Sequence, residues 1–350
     1  MAFVFTAFPE RLPMHHSASP GALSCFRLSL AVALVWLAAC SAHAQEPVSL
    51  EPDLRWRPSN LQQDCARRTA ACVAVDGTGS RSGPPEIDSE QLRRRNLALI
   101  VASSLSVGLY GWKKWWGNGF SSHFNSRNEH WFGRQTYAGG ADKLGHFFMN
   151  YAGTRLMTKA FNWVGNDPAT SLDMAAWLTL GIFTGVEVLD GYAKKWHFSK
   201  EDALINAAGV AAGVLMESRP GLDKLIDLRI LYQPSRENGR RFEPFGDYSG
   251  QTYLLVAKAS GVEALRHHPV LRYVEVAVGY RARGYSDVGG RLVEVGTRSL
   301  YAGVSLNLSE LLGQTVFRQQ HGTAQAVADT VLEYVQVPGT AVLGRIGLDD

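Results

Sequence analysis

The chain has 350 residues, of which 46% are hydrophobic and 19% are charged. This balance is ordinary for a packed globular protein and too apolar for a disordered one. The formal net charge of +3 is too small to indicate binding of nucleic acid.

The chain begins with the pattern of an export signal. Residues 28–39 form an apolar run that follows Arg27. A run of this length fits the core of a signal peptide and is too short to span a bilayer. We therefore predict that residues 1–39 are a signal peptide that is removed on export.

Two cleavage sites compete at the end of this signal. Residues 37–40, Leu-Ala-Ala-Cys, match a lipobox, and residues 42–44, Ala-His-Ala, match the small-x-small site of ordinary secretion before Gln45. The lipobox is favoured because its leucine and two alanines adjoin the cysteine. It predicts a lipid on Cys40, which would hold the protein on a membrane. By resemblance to enterobacterial sorting, Ser41 after the cysteine implies the outer membrane of a Gram-negative bacterium.

Residues 40–95 are polar and rich in proline and glycine, which is typical of a flexible tether. Cys65 and Cys72 lie within it. Because export leads to an oxidising compartment, we expect these two cysteines to form a disulfide, with two free thiols as the alternative.

Residues 96–235 are predicted to be helical. Apolar stretches cover about 97–110, 144–161, 174–189 and 203–216. Each is shorter than the ~20 residues that cross a membrane. The segment is therefore interpreted as a small bundle of buried helices.

From residue 236 to about 320 the apolar pattern changes to alternation, which predicts strands at 252–259, 273–280 and 300–308. Ser309 is a candidate cap for a short helix at 310–317. The expected fold is α+β: a small helical bundle with buried polar residues, followed by a short antiparallel sheet packed on the helices. Residues 321–350 are a tail to which the sequence assigns no role.

Polar side chains interrupt the apolar helical runs at spacings of three or four residues, which place each pair on one helix face. The residues are Asp142 and His146, Glu187 and Asp190, and Asp202 and Asn206. Ser199 is expected to cap the helix that carries the last pair. Because an isolated buried carboxylate is costly, we expect the three pairs to converge.

Three interpretations of this convergence stay open. It is an inert hydrogen-bond network that fixes helix register; or a catalytic pair, with His146 as base and Asp142 orienting it; or a site for a divalent metal, using Glu187, Asp190 and His146 with Asp202 and Asn206 nearby.

Nine aromatic or histidine side chains lie between residues 112 and 132, with Lys113 and Lys114 among them. Such a density suits a membrane-interface belt or a ligand surface. A loop that packs over the bundle explains it equally well.

Several ordered motifs resemble a known family. They are Asn128-Glu129-His130-Trp131, Asp142-Lys143-Leu144-Gly145-His146, residues 187–191, and Phe198-Ser199 with Asp202, Asn206 and Gly209. Together they resemble the YfiM-like family of predicted periplasmic lipoproteins, a domain of unknown function, over about residues 97–310. A fainter similarity is to VanZ-like membrane proteins. The resemblance implies an envelope protein and brings no catalytic residues.

These observations predict a periplasmic, lipid-anchored envelope protein that binds or organises other molecules at a membrane surface. Its expected partners are the membrane, reached through the lipid, and a lipid or an envelope protein, but not nucleic acid. The alternative is a membrane-surface enzyme, such as a metal-dependent hydrolase, that acts on lipid or cell-wall precursors.

Overall fold

A computed structural model describes residues 88–285, 296–318 and 322–349. Its fold is α+β, as predicted. The signal peptide, Cys40 and the cysteine pair Cys65 and Cys72 lie outside the described residues. The helices are α1 (Ser89–Lys114), α2 (Ala141–Val164), α3 (Pro168–Tyr192), α4 (Lys200–Ser218), α5 (Pro220–Asp223), α6 (Glu263–Arg266), α7 (Leu308–Thr315) and α8 (Thr323–Tyr334).

The four long helices form one layer with α2 at its centre, in contact with α1, α3 and α4. Glycines allow α2 and α4 to approach closely. A Cβ on Gly209 would lie 2.4 Å from the carbonyl oxygen of Phe147, and one on Gly213 would lie 3.0 Å from that of Tyr151. Small residues at a helix interface permit this backbone contact.

The second layer is a five-stranded antiparallel sheet in the order β3-β4-β5-β6-β7. Its strands are β3 (Ile226–Tyr232), β4 (Gln251–Lys258), β5 (Val274–Arg283), β6 (Thr297–Leu306) and β7 (Ala341–Gly347). Two residue pairs, β1 (Ser126–Arg127) and β2 (Phe198–Ser199), form a short parallel ladder beside the helices. The side of β3 that bears Ile226 and Leu228 packs on Tyr151 and Met216 of the helical layer.

The three predicted strands are present as β4, β5 and β6, but the sheet has two more. β3 lies inside the segment that was expected to be helical, and β7 comes from the tail. Both are edge strands that pair with segments distant in sequence. Each is only seven residues long, so its alternation of apolar and polar residues is too short to predict a strand. α7 is capped by Asn307, which accepts from the Glu310 amide at 3.0 Å, and not by Ser309.

Two helices extend beyond their predicted limits. α1 begins at Ser89, within the segment predicted to be a tether, because Asp88 caps it by accepting from the Glu90 amide. α3 runs for 25 residues and is the one described helix that is long and apolar enough to cross a membrane. Only 22% of its apolar window is buried.

Buried ion pairs join α2 to three other helices. Arg155 of α2 donates to Glu217 of α4 at 2.7 Å, to Asp223 of α5 at 2.5 Å and to the Tyr151 hydroxyl at 2.6 Å. It also pairs with Glu333 of α8. Such a guanidinium ties α4, α5 and α8 to α2, and the loss of one partner would leave buried charge unpaired.

Candidate functional site

The predicted polar residues meet where the start of α2, the end of α3 and the start of α4 come together. Ser199 caps α4, as predicted, by accepting from the Asp202 amide at 3.2 Å. That cap directs the first turn of α4 toward Asp142 and Lys143 of α2. The cluster is therefore built from helix ends, where helical spacing and caps set the direction of each side chain.

Lys143 is the centre of the cluster, and its side chain is 1% exposed. Its ammonium nitrogen lies 2.6 Å from Glu129 Oε2, 2.7 Å from Asp202 Oδ1 and 3.1 Å from Asp142 Oδ2. Burial alone would lower the pKa of Lys143, but the three carboxylates together raise it above its ordinary value. Lys143 thus remains charged and holds three acidic groups from separate segments.

Asp142 has a second partner in the sheet layer. The Tyr248 hydroxyl donates to Asp142 Oδ1 at 2.5 Å. Although burial alone would raise the pKa of Asp142, His146, Lys143 and this hydroxyl bond lower it below the usual value. Asp142 is therefore ionised and links the helical layer to the segment before β4.

His146 faces acceptors on both ring nitrogens. Nε2 lies 3.7 Å from Asp142 Oδ1, and Nδ1 lies 3.5 Å from Glu187 Oε1 and 3.1 Å from Asn206 Oδ1. The amide of Asn150 fixes the last contact. Its Nδ2 donates to the His146 carbonyl at 2.9 Å and to Asn206 Oδ1 at 2.6 Å. Because Asn206 thus presents its oxygen, Nδ1 of His146 must carry a proton.

The acidic surroundings keep the second proton on the ring as well. Burial alone would lower the pKa of His146, but Asp142, Asp202 and Glu187 raise it to about 9. The side chain is 21% exposed, which makes it more accessible than its acidic neighbours. At neutral pH His146 is an imidazolium and serves as the second cation of the cluster.

Three carboxyl groups at the edge of the cluster bind protons more tightly than usual. Burial, as the main cause, raises the pKa of Glu187 to about 8, of Glu129 to about 7 and of Asp190 to about 6. Asp190 accepts from the Trp116 indole at 2.6 Å. Five carboxyl groups share two cations, and the raised pKa values of Glu187 and Glu129 let the cluster hold protons near neutral pH, which reduces its unbalanced negative charge.

A metal site would need a different arrangement from the one predicted. Among the described residues, the ligand atoms of Asp142, His146 and Asp202 lie within 4.8 Å of one another. Glu187 and Asp190 are not part of this group. Lys143 already pairs with both aspartates at 2.7 and 3.1 Å. The residues as arranged fit an internal cation better than a divalent ion.

The protonation of His146 bears on catalysis. A general base must offer a lone pair near the working pH, and the imidazolium of His146 offers none. Asp142 lies 3.7 Å from the ring and hydrogen-bonds to Tyr248. The contacts of Lys143, His146 and Asn206 join α2, α3 and α4, which is the arrangement that a register-fixing network requires.

The aromatic segment divides between two environments. Trp116 is buried against Val186 and Ala193, and the Trp196 indole donates to the Trp115 carbonyl at 2.8 Å. Trp112, in contrast, is 61% exposed on α1. Part of the segment closes the end of the bundle, and part remains available to a membrane or ligand.

Four residues that complete the site had no place in the predicted cluster: Glu129, Lys143, Tyr248 and Trp116. Glu129 and Lys143 stood in the motifs that carried the family resemblance, so their position in those motifs was the available signal. Tyr248 and Trp116 come from segments 106 and 74 residues away from their partners. No spacing rule connects residues so distant.

Comparison with known proteins supports an envelope location. Residues 128–218 match the family described as predicted periplasmic lipoprotein (DUF2279). The resemblance to a family of predicted periplasmic lipoproteins is thereby confirmed over these residues, and it supports a periplasmic, lipid-anchored location. No curated protein and no solved structure matches the chain.

Proposed function

We propose that this periplasmic lipoprotein is a non-enzymatic membrane-surface protein that inserts the outer face of its helical layer into one leaflet. One observation carries the proposal: the outward faces of α1, α3 and α4 are apolar, while polar groups lie inside the layer. Water-soluble helices have the opposite arrangement.

The stripe on α1 is continuous over four turns. It consists of Leu97, Val101, Leu105, Leu109 and Trp112, all of them exposed. Arg93, Arg94 and Arg95 precede it, and Lys113 and Lys114 follow it. Basic groups at both ends, with a tryptophan at one of them, are typical of a helix that lies in a membrane interface.

The other two helices continue the apolar face. On α3 the exposed large side chains include Trp177 and Val188, and on α4 they are Leu204 and Leu215. No Asp, Glu, Lys or Arg occurs in 97–112, 174–186 or 203–216. The uncharged band on these three neighbouring helices forms a larger exposed apolar surface than the scattered single leucines on the surface of a soluble protein.

The interior of the layer is correspondingly polar. Thr154, Thr158, Ser171 and Thr179 are buried between the helices. The Thr158 hydroxyl donates to the Thr154 carbonyl at 2.9 Å. Helices that pack in lipid have this distribution, with small and hydroxyl-bearing residues inside and large apolar residues outside.

A lipid on Cys40 would place this face against the membrane. The acyl chains of that lipid would hold the protein on the membrane, and the helical layer then needs a surface of its own to lie against the bilayer. The helical face supplies it. Ser41 after the lipidated cysteine supports the outer membrane as the location, and the bound protein is then positioned to hold a lipid or an envelope protein.

Flotation with phospholipid vesicles tests the proposal. In the full-length protein, the substitution Cys40→Ala removes the lipid, so that any remaining vesicle binding comes from the helical face. Leu105 and Leu109 are 58% and 65% exposed, so their membrane contact is worth about 1–2 kcal/mol each, a share of the ~1.5–3 kcal/mol for full burial. Leu105→Glu with Leu109→Glu should weaken binding roughly 30- to 700-fold.

A matched control adds the same charge elsewhere. Ala324→Glu with Ala326→Glu places two carboxylates on exposed positions of α8 and should leave vesicle binding unchanged. Equal binding by the two double variants, at unaltered melting temperature, would contradict the proposal. Failure of the parent protein to float would contradict it as well.

A further inference from the structure

A polar cavity of about 540 Å³ lies at the opposite end of the bundle from the acidic cluster. Its walls come from the second half of α2, the turn between α5 and β3, the end of β4, residues 260–272, α7 and α8. The volume is in the range of small-molecule sites, ~300–1,000 Å³. Such a space among charged groups indicates a polar ligand.

Basic side chains outnumber acidic ones around the cavity. Six Lys or Arg residues line it: Lys159, Lys224, Arg229, Lys258, Arg266 and Arg272. Four Asp or Glu residues do so: Asp227, Glu310, Asp329 and Glu333. His267 adds a group that becomes cationic on protonation. The surplus is positive although the chain as a whole is nearly neutral.

Most of the acidic groups are already paired. Asp227 accepts from Arg229 and from Lys258, both at 2.5 Å. Glu333 pairs with Lys159 at 2.6 Å. Glu310 pairs with Arg272, and Asp329 accepts from the Ser309 hydroxyl. The cavity thus offers an incoming anion few unpaired carboxylates to repel it.

Two cations remain available. Within the described part of the chain, neither Lys224 nor Arg266 forms an ion pair. Both side chains line the cavity and are exposed to solvent, and the loop that leads to Arg266 packs on Lys224, since a Cβ on Gly261 would lie 2.1 Å from the Lys224 carbonyl oxygen. An ammonium and a guanidinium on adjoining walls are the groups that hold phosphate in proteins, the guanidinium with two parallel bonds.

We propose that this cavity binds a phosphate-bearing anion through Lys224 and Arg266. The phosphate belongs either to a lipid headgroup or to a soluble phosphate compound, since the same two cations recognise both. The proposal is independent of the apolar helical face, because no residue of that face lines the cavity.

Two probes separate the sources. Inorganic phosphate and pyrophosphate are titrated into the full-length protein by calorimetry, and the protein is floated with phosphatidylcholine vesicles with and without phosphatidylglycerol. Lys224→Gln with Arg266→Gln is the test variant. Arg236→Gln with Arg240→Gln removes the same charge from exposed positions outside the cavity and is the control.

We expect the test variant to lose about tenfold in affinity for each cation, since charge-assisted hydrogen bonds are involved, while the control binds like the parent. Phosphate or pyrophosphate binding assigns a soluble ligand, and a preference for phosphatidylglycerol alone assigns a headgroup. The proposal is overturned if neither probe binds, if both variants lose affinity equally, or if chloride at the same ionic strength competes as well as phosphate.

Discussion

Replacing Lys143 with methionine would remove the central cation of the acidic cluster while keeping a side chain of similar length. Glu129, Asp142 and Asp202 would then face one another in the protein interior without the ammonium that lies 2.6–3.1 Å from each. Breaking a buried ion pair in this way costs about 3–5 kcal/mol. For a folded part of this size, the melting temperature should fall by about 6–10 °C at neutral pH.

The pH dependence of this loss distinguishes charge from packing. Without Lys143 the carboxyl groups bind protons more tightly, and Glu129 already has a pKa of about 7 in the intact protein. At pH 5 protonation removes much of the repulsion, so the difference in melting temperature should shrink, and at pH 8 it should be largest. A simple packing defect would be the same at both values.

Thermal denaturation of Lys143→Met at pH 5, 7 and 8 is the assay, with Lys194→Met, at an exposed position, as the control. A loss that is equal at pH 5 and pH 8 would refute the charge argument, and so would no loss at all. Melts with added magnesium or zinc test the metal interpretation. Restored stability of Lys143→Met in either metal would mean that the cluster accepts a divalent cation after all.

Two further outcomes follow from the cluster and the leader. The folded protein holds protons on His146 (pKa about 9, ordinarily 6.5) and Glu187 (about 8, ordinarily 4.5) that the unfolded chain releases, so this stabilisation is lost as pH rises. Between pH 6.5 and 8 the free energy of unfolding should fall by about 1.4 kcal/mol per pH unit for each proton. Denaturant melts that give the same free energy of unfolding across this range would contradict the assignment. So would a His146→Gln variant whose free energy of unfolding falls as steeply with pH as that of the parent protein. Palmitate labelling should be lost in Cys40→Ala, and labelling that persists would favour cleavage before Gln45.

Local patterns predicted the parts of the fold that depend on local rules. The helical runs, the Ser199 cap and the alternation in β4, β5 and β6 all arise from spacing between near neighbours. The convergence of the acidic pairs followed from the cost of leaving a buried carboxylate alone. Each of these features is decided within a few residues or by a single energetic constraint.

Contacts between distant segments were beyond that reasoning. β7 pairs with β6 across the intervening α7 and α8, and the sequence of this strand, broken by Gly344, gives no clear period. The choice of Lys143 as the shared partner of three carboxylates also depends on how α2 and α4 are docked. A lysine at a helix start is ordinarily a solvated surface residue, so its sequence position gave no reason to bury it.

The sequence predicted which segments are helical but not which face of each helix is buried. Apolar runs such as 97–110 were interpreted as buried because hydropathy alone does not say which side of a helix faces the core. In α1 the buried positions include Ser103 and Tyr110, while Leu105 and Leu109 face outward. When lipid surrounds that face, polar groups inside the layer have no water to hydrogen-bond with and must form hydrogen bonds and ion pairs with one another. The buried network of Lys143 and His146 and the exposed leucines then have one cause. Variants of the network should lower stability, and variants of the leucines should weaken membrane binding.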